Sequence, residues 1–189
     1  MNYFEDTIYD FNNPVNLANI AGNEFTECHF IGLDLQESNF RNARFFECVF
    51  KECNLSNIII TGTNFRENTF SQCKMIGVNF STASSFSDIE FKESILNYSS
   101  FQDITHGQSS KFLKCSLRET DFSQANFSKS DFSGSDLFGA IMNGTDLSGA
   151  DLRSAINYSI NPEFTNIKKA RFSMPEVLKL LEHLEVKID

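Results

Sequence analysis

The sequence predicts an all-β fold, a four-sided (quadrilateral) β-helix that turns a corner every five residues between about residues 18 and 160. Three observations predict it. Apolar side chains recur at every fifth position, small side chains recur two positions before each of them, and the apolar column echoes itself every 20 residues.

The column begins Phe25, Phe30, Leu35, Phe40, Phe45, Phe50, Leu55, Ile60, Phe65, Phe70, Met75 and Phe80. At 41% apolar composition, twelve apolar residues in one chosen register would arise by chance roughly two times in a hundred thousand. After one extra residue it continues as Phe86, Phe91, Leu96 and Phe101, and after a longer break as Phe112 through Leu152; fifteen of the 21 phenylalanines lie in it. A five-residue step advances an α-helix by about 140° net, scattering these rings around the cylinder. A flat strand would place successive members on opposite faces, because five is odd. The backbone must therefore bend at every repeat.

Calling each column residue i, position i−2 is mostly small (Cys48, Cys53, Thr63, Ser94, Ser99, Thr120, Ala125, Ser135) and points inward with i. Position i−1 faces outward and is often Asp or Asn, as in Asp34, Asn54, Asp121, Asp131 and Asp151, where these residues cap turns. Positions i+1 and i+2 turn the corner. The 20-residue echoes Phe25, Phe45, Phe65 and Phe30, Phe50, Phe70 require four corners per coil.

Ala125-Asn126-Phe127-Ser128-Lys129 and Ala150-Asp151-Leu152-Arg153-Ser154 follow the pattern Ala-Asp/Asn-Leu/Phe-x-x, and over about three quarters of its length the chain resembles the pentapeptide-repeat family. That resemblance implies a right-handed quadrilateral β-helix of about seven coils, roughly 30 to 35 Å long at the spacing of neighbouring strands.

Charge and composition narrow the function. Residues 1–152 hold 10 Lys/Arg against 20 Asp/Glu, whereas residues 153–189 are nearly balanced, so the net charge of −9 lies in the repeats. Such a rod is repelled by nucleic acid, but suits a basic surface that normally receives DNA phosphates. The acidic start Met1 to Asp6 leads into no apolar run, and no segment approaches eighteen uninterrupted apolar residues, which reads as cytoplasmic and not membrane-spanning. Cys28, Cys48, Cys53, Cys73 and Cys115 all fall at the inward i−2 position, which reads as five free packing thiols, with no metal site and no cofactor. His29, His106 and His183 are dispersed, and no catalytic motif has a recognisable context, so the chain is not expected to be an enzyme.

The repeat breaks by one residue at Ser81–Ser85, and more deeply at 102–111, where eleven residues separate Phe101 from Phe112. Asp103, Ile104, Thr105, His106, Gly107 and Gln108 lie in the second break, expected to bulge or project from one face as a partner-binding loop. Residues 1–17 read as an N-terminal cap segment and 161–189 as a tail. In that tail Ser173-Met174-Pro175-Glu176 reads as the capped start of a short α-helix carrying Val177, Leu178, Leu180, Leu181 and Leu184, with Val186 and Ile188 beyond. This apolar tail can cap the last coil or join two chains, and resembles the tail of dimeric members of the family. The acidic β-helix, mid-chain break and Leu-rich tail together resemble the Qnr and McbG group of topoisomerase-protecting proteins. The resemblance implies a DNA mimic that binds DNA gyrase or topoisomerase IV and shields it from quinolones or peptide toxins. The other reading is a structural adaptor that docks an unrelated partner through one flat face.

Overall fold

The computed structural model describes residues 1–16 and 20–184. Tyr3–Glu5 (β1), Glu24–Thr26 (β3), Arg44–Phe46 (β5), Asn64–Arg66 (β7) and Ser85–Ser87 (β9) form one parallel wall. Ile8–Tyr9 (β2), His29–Ile31 (β4), Val49–Lys51 (β6), Thr69–Ser71 (β8), Glu90–Lys92 (β10) and Lys111–Leu113 (β11) form the next. The other two walls are held by single bridges, as in Asp34↔Asn54↔Lys74 and Ser100↔Asp121↔Ile141. Paired strands account for five to six coils against the about seven expected. Beyond Phe112 these walls keep their register through isolated bridges such as Lys111↔Asp131↔Asp151 instead of strands.

The five-residue period becomes geometry at the corner. Leu35 C=O accepts from Ser38 N–H at 3.1 Å, while Glu37 between them has φ 59°, closing a β-turn whose third residue is left-handed. The outward Asp and Asn side chains stabilise these corners: Asp34, Asp121, Asp131, Asp146 and Asp151 each accept from the N–H two residues ahead at 2.8–3.2 Å. These carboxylates are therefore structural.

Inside, the apolar column stacks coil on coil. Phe30 and Phe50 are parallel at 4.5 Å between ring centroids, Phe50 and Phe70 at 4.9 Å, and Phe70 and Phe91 at 5.1 Å. Neighbouring walls meet edge to face, as Phe25 does Phe30 at 5.6 Å. Each ring contributes on the order of 2 kcal/mol of transfer free energy, with about 0.5–1.5 kcal/mol more per favourable aromatic pair, so this column dominates stability.

Position i−2 is more than a small filler. Thr63 Oγ1 donates to Phe40 C=O at 2.7 Å, Ser99 Oγ to Met75 C=O at 2.8 Å, and Ser135 Oγ to Phe112 C=O at 2.6 Å, each reaching one coil back. Cys48, Cys53 and Cys73 occupy the same slot, their thiols lying 3.2–3.3 Å from the carbonyls of Phe25, Phe30 and Phe50. Cysteine here is a small apolar side chain with a weak donor, interchangeable in role with Ser and Thr. All five cysteines are free and buried. Burial pushes the Cys115 thiol up to about 12, and the Cys28 thiol together with burial holds Cys48 far above the ordinary thiol range. A thiol reagent at pH 8 is expected to leave the folded protein nearly unlabelled and to count five thiols after denaturation; a count of three or one would reveal disulfides.

The tail departs from the α-helix expected there. Glu176–Leu184 is a 3-10 helix, started by Leu178 N–H donating to Pro175 C=O at 3.0 Å. The expected cap does not form, because Ser173 Oγ is taken by Ser154 N–H at 2.9 Å and Glu176 pairs with Lys179 at 2.6 Å. Leu180 and Phe172 pack against the core, and the Phe172 ring lies 5.8 Å from buried Tyr158, so the helix covers the last coil. Val177 and Leu181 are half-buried and Leu178 is exposed. The Leu184 side chain, Val186 and Ile188 lie outside the described residues, as does the expected boundary at residues 17 and 18.

Candidate protein-binding site

Asp6, Glu27, Glu47, Glu67 and Asp88 each occupy the second residue of the corner that follows β1, β3, β5, β7 and β9. One carboxylate per coil therefore forms a column along a single edge. All five have left-handed backbones, with φ of 46°, 53°, 55°, 57° and 54°. That conformation suits Gly and Asn and disfavours Glu, so the charges sit there against local backbone preference. All five are exposed. Only Glu67 has an ion-pair partner among the described residues, Arg66 at 2.8 Å. Asp151, by contrast, is gripped by Arg153 at 2.7 Å and Arg171 at 3.3 Å, and the Arg153 hydrogen bond holds its carboxyl below the usual carboxylate range. On later coils the same edge turns to Lys129 and Lys169.

The column ends at the break in the repeat. Residues 102–111 do not project as a loop; they stay in the wall. Ile104 is buried in the i−2 slot and Gly107 takes the place of the missing ring, with the extra residue accommodated at exposed Thr105 and His106. Asp103 has φ 59° and, like Gln108, is exposed. Gly107 is required sterically: a Cβ there would lie 2.6 Å from Phe127 Cε1, because that ring fills the vacated space. The segment is tied upward, with Asn126 N–H donating to Ile104 C=O at 2.7 Å, Ser109 N–H to Ser128 C=O at 3.0 Å, and Ser130 Oγ to Gly107 C=O at 3.2 Å.

Below it, the one-residue slip at 81–85 forms a 3-10 turn, Phe80–Thr82, whose Ser81 N–H is capped by Asn79. The two breaks are one coil apart and face each other across a cavity of about 110 Å³ lined by Phe80, Ser84, Phe86, Asp103, Ile104 and His106. Asp103 to Gln108 share one break in the sequence, but that the 81–85 slip faces them is not visible there. Reading the sequence also misses the edge carboxylates, whose spacings of 20 or 21 residues are the available signal.

A second surface was missed as well. Phe138 and Tyr98 are half or more exposed, and the Arg118 guanidinium lies 4.6 Å from the Phe138 ring centroid while pairing with Asp136 at 2.9 Å. Among the described residues no group of His, Cys, Asp and Glu could hold a metal ion, and no helix is long and apolar enough to cross a membrane.

Comparison with known proteins agrees with this geometry. Two solved structures are similar in fold, both of trypsin-treated variants of QnrB1, a plasmid-mediated fluoroquinolone resistance protein. One has TM-score 0.67 at 15% identity, covering 99% of this chain and 97% of that one. The other has TM-score 0.53 at 14% identity, covering 99% and 98%. Curated proteins yield no significant sequence match. The pentapeptide repeat region profile matches residues 23–101, and the profile of pentapeptide repeats in eight copies matches residues 115–153, leaving between them the segment that contains the break. With most of its length matched by these profiles, and with a core and corners built from the five-residue unit, the chain belongs to the pentapeptide-repeat family.

Proposed function

We propose that this chain is a DNA-mimicking protein that binds a type II topoisomerase, DNA gyrase or topoisomerase IV, and protects it from quinolones or peptide toxins. The column of five exposed carboxylates on one edge of a narrow rod, four of them without an ion-pair partner among the described residues, carries the reading. Residues 1–101 hold 13 Asp/Glu against six Lys/Arg. Over five coils of about 4.8 Å that is one net negative charge per roughly 3.4 Å, about half the linear density of duplex DNA. The fold likeness to QnrB1 supports the same reading. In this proposal the protein is cytoplasmic, non-enzymatic and free of cofactors, it touches no nucleic acid directly, and Asp103 to Gln108 contact the enzyme beside the acidic edge.

Gyrase supercoiling in the presence of a quinolone tests it. The chain is expected to restore supercoiling, and the double variant Glu27→Gln/Glu47→Gln to need at least about tenfold more protein, because surface electrostatics set association. Binding is expected to weaken steeply as salt rises. No rescue, no inhibition and no capture of either topoisomerase would instead favour the adaptor reading, for which the exposed Phe138, Tyr98 and Arg118 corner offers the side-chain types that anchor protein interfaces.

The tail completes the proposal as a twofold dimer contact centred on Leu178, with Val177 and Leu181 beside it. Light scattering after size exclusion is expected to give twice the chain mass for the intact protein and the monomer mass for Leu178→Glu. A monomeric intact chain would leave the helix as a cap alone.

A further inference from the structure

The edge that carries the acidic column does not keep one sign. Its corners stack coil on coil: Glu47 N–H donates to Arg66 C=O at 3.0 Å, Ser109 N–H to Ser128 C=O at 3.0 Å, Lys129 N–H to Ser148 C=O at 2.9 Å and Gly149 N–H to Lys168 C=O at 2.8 Å. Before the break, the two corner residues of each coil supply six carboxylates against one arginine, Arg66; after it they supply Lys129, Lys168 and Lys169 and no acid. These three lysines are exposed, and none has an ion-pair partner among the described residues. The sign changes at the uncharged, exposed corner Gln108-Ser109.

We infer that two copies of this chain pair along this edge, antiparallel, about a twofold axis at Gln108-Ser109. Counting one coil at a time from that axis, Asp88 comes opposite the second copy's Lys129, the Arg66–Glu67 ion pair opposite its Ser148 and Gly149, and Glu47 opposite its Lys168 and Lys169. Charged coils meet coils of opposite sign, and the internally neutral coil meets the uncharged one. Gly149, which has no side chain, leaves a hollow of about 290 Å³ with Ser148 and the three lysines, on the side that receives Arg66 and Glu67. A parallel arrangement would set acid against acid. The twofold contact is self-complementary and closes with two copies. Contact along one corner is narrow, which places it among weak encounters burying less than about 1,200 Å². The net charge of −9 on each chain opposes it, so pairing is strongest near 0.1 M salt, where the screening length of about 10 Å hides distant like charges and spares touching pairs. At the dilution of size exclusion it dissociates, unlike the apolar tail contact. Pairing covers Glu47, Glu67 and Asp88, so any basic partner of the acidic column must displace the second copy, whether or not that partner is a topoisomerase.

Disulfide trapping tests the register, using the full chain carrying Leu178→Glu so that the tail contributes nothing. Ser109→Cys places a thiol on the proposed axis, whereas Ser148→Cys places it two coils away, about 20 Å from its own counterpart in the pair. At about 0.2 mM protein in 0.1 M salt with copper phenanthroline, Ser109→Cys is expected to form covalent dimer at least about tenfold faster than Ser148→Cys, and to lose that advantage in 1 M salt. Adding Lys129→Glu/Lys169→Glu, or instead Glu47→Lys/Asp88→Lys, to the Ser109→Cys chain is expected to abolish trapping. Mixed one to one, these two variants are expected to trap each other, since every contact along the edge is then of opposite sign. Equal rates for Ser109→Cys and Ser148→Cys would overturn the inference. Trapping that survives either pair of charge reversals, or a mixture that fails to recover it, would overturn it as well.

Discussion

Replacing Phe50 by alanine is expected to lower the free energy of unfolding by about 3–5 kcal/mol, read as a shift of the urea midpoint at unchanged slope. Phe50 is fully buried and lies parallel between Phe30 and Phe70 at 4.5 and 4.9 Å. Its loss removes two ring contacts as well as the transfer free energy. The coils above and below are fixed at strand spacing by β4, β6 and β8, so the backbone cannot collapse into the void. A loss below about 1 kcal/mol would mean that the rings do not hold the rod together.

The second large effect lies at the break. Gly107→Leu is expected to destabilise the chain by about 1–3 kcal/mol, because the new side chain enters space already filled by the Phe127 ring. The paired variant Gly107→Leu/Phe127→Ala separates crowding from backbone effects: with the ring removed, much of the loss should be recovered, a coupling visible in a double-mutant cycle. Strict additivity would show that Gly107 does not hold this space for Phe127.

These positions illustrate what the sequence discloses. Phe50 could be placed by counting, because a strict period leaves one geometry that gathers the column. The cysteines could be assigned inward for the same reason, yet their donor role could not, since it depends on a carbonyl 23 residues earlier in the chain being one coil away. The break at 102–111 was visible as a gap in the column. Its outcome was not: Ile104 re-enters the wall and Phe127, from the next coil, fills the space over Gly107, which is tertiary information. The tail failed for a comparable reason. Ser173 has the right spacing to cap a helix, but Ser154, brought alongside by the coil, takes its hydroxyl.

The two breaks that face each other also bear on how the molecule comes apart. In a solenoid each turn leans only on its neighbours, so opening spreads from an end until it meets a weak junction. Here the junction sits mid-length, where among the described residues one side in four, between β9 and residues 104–109, lacks its backbone bonds, and it divides the rod into two blocks of unequal cohesion. Pulled from its two ends, such a molecule should yield in two steps, the first releasing the phenylalanine-poorer turns that follow Phe132 together with those above residue 104.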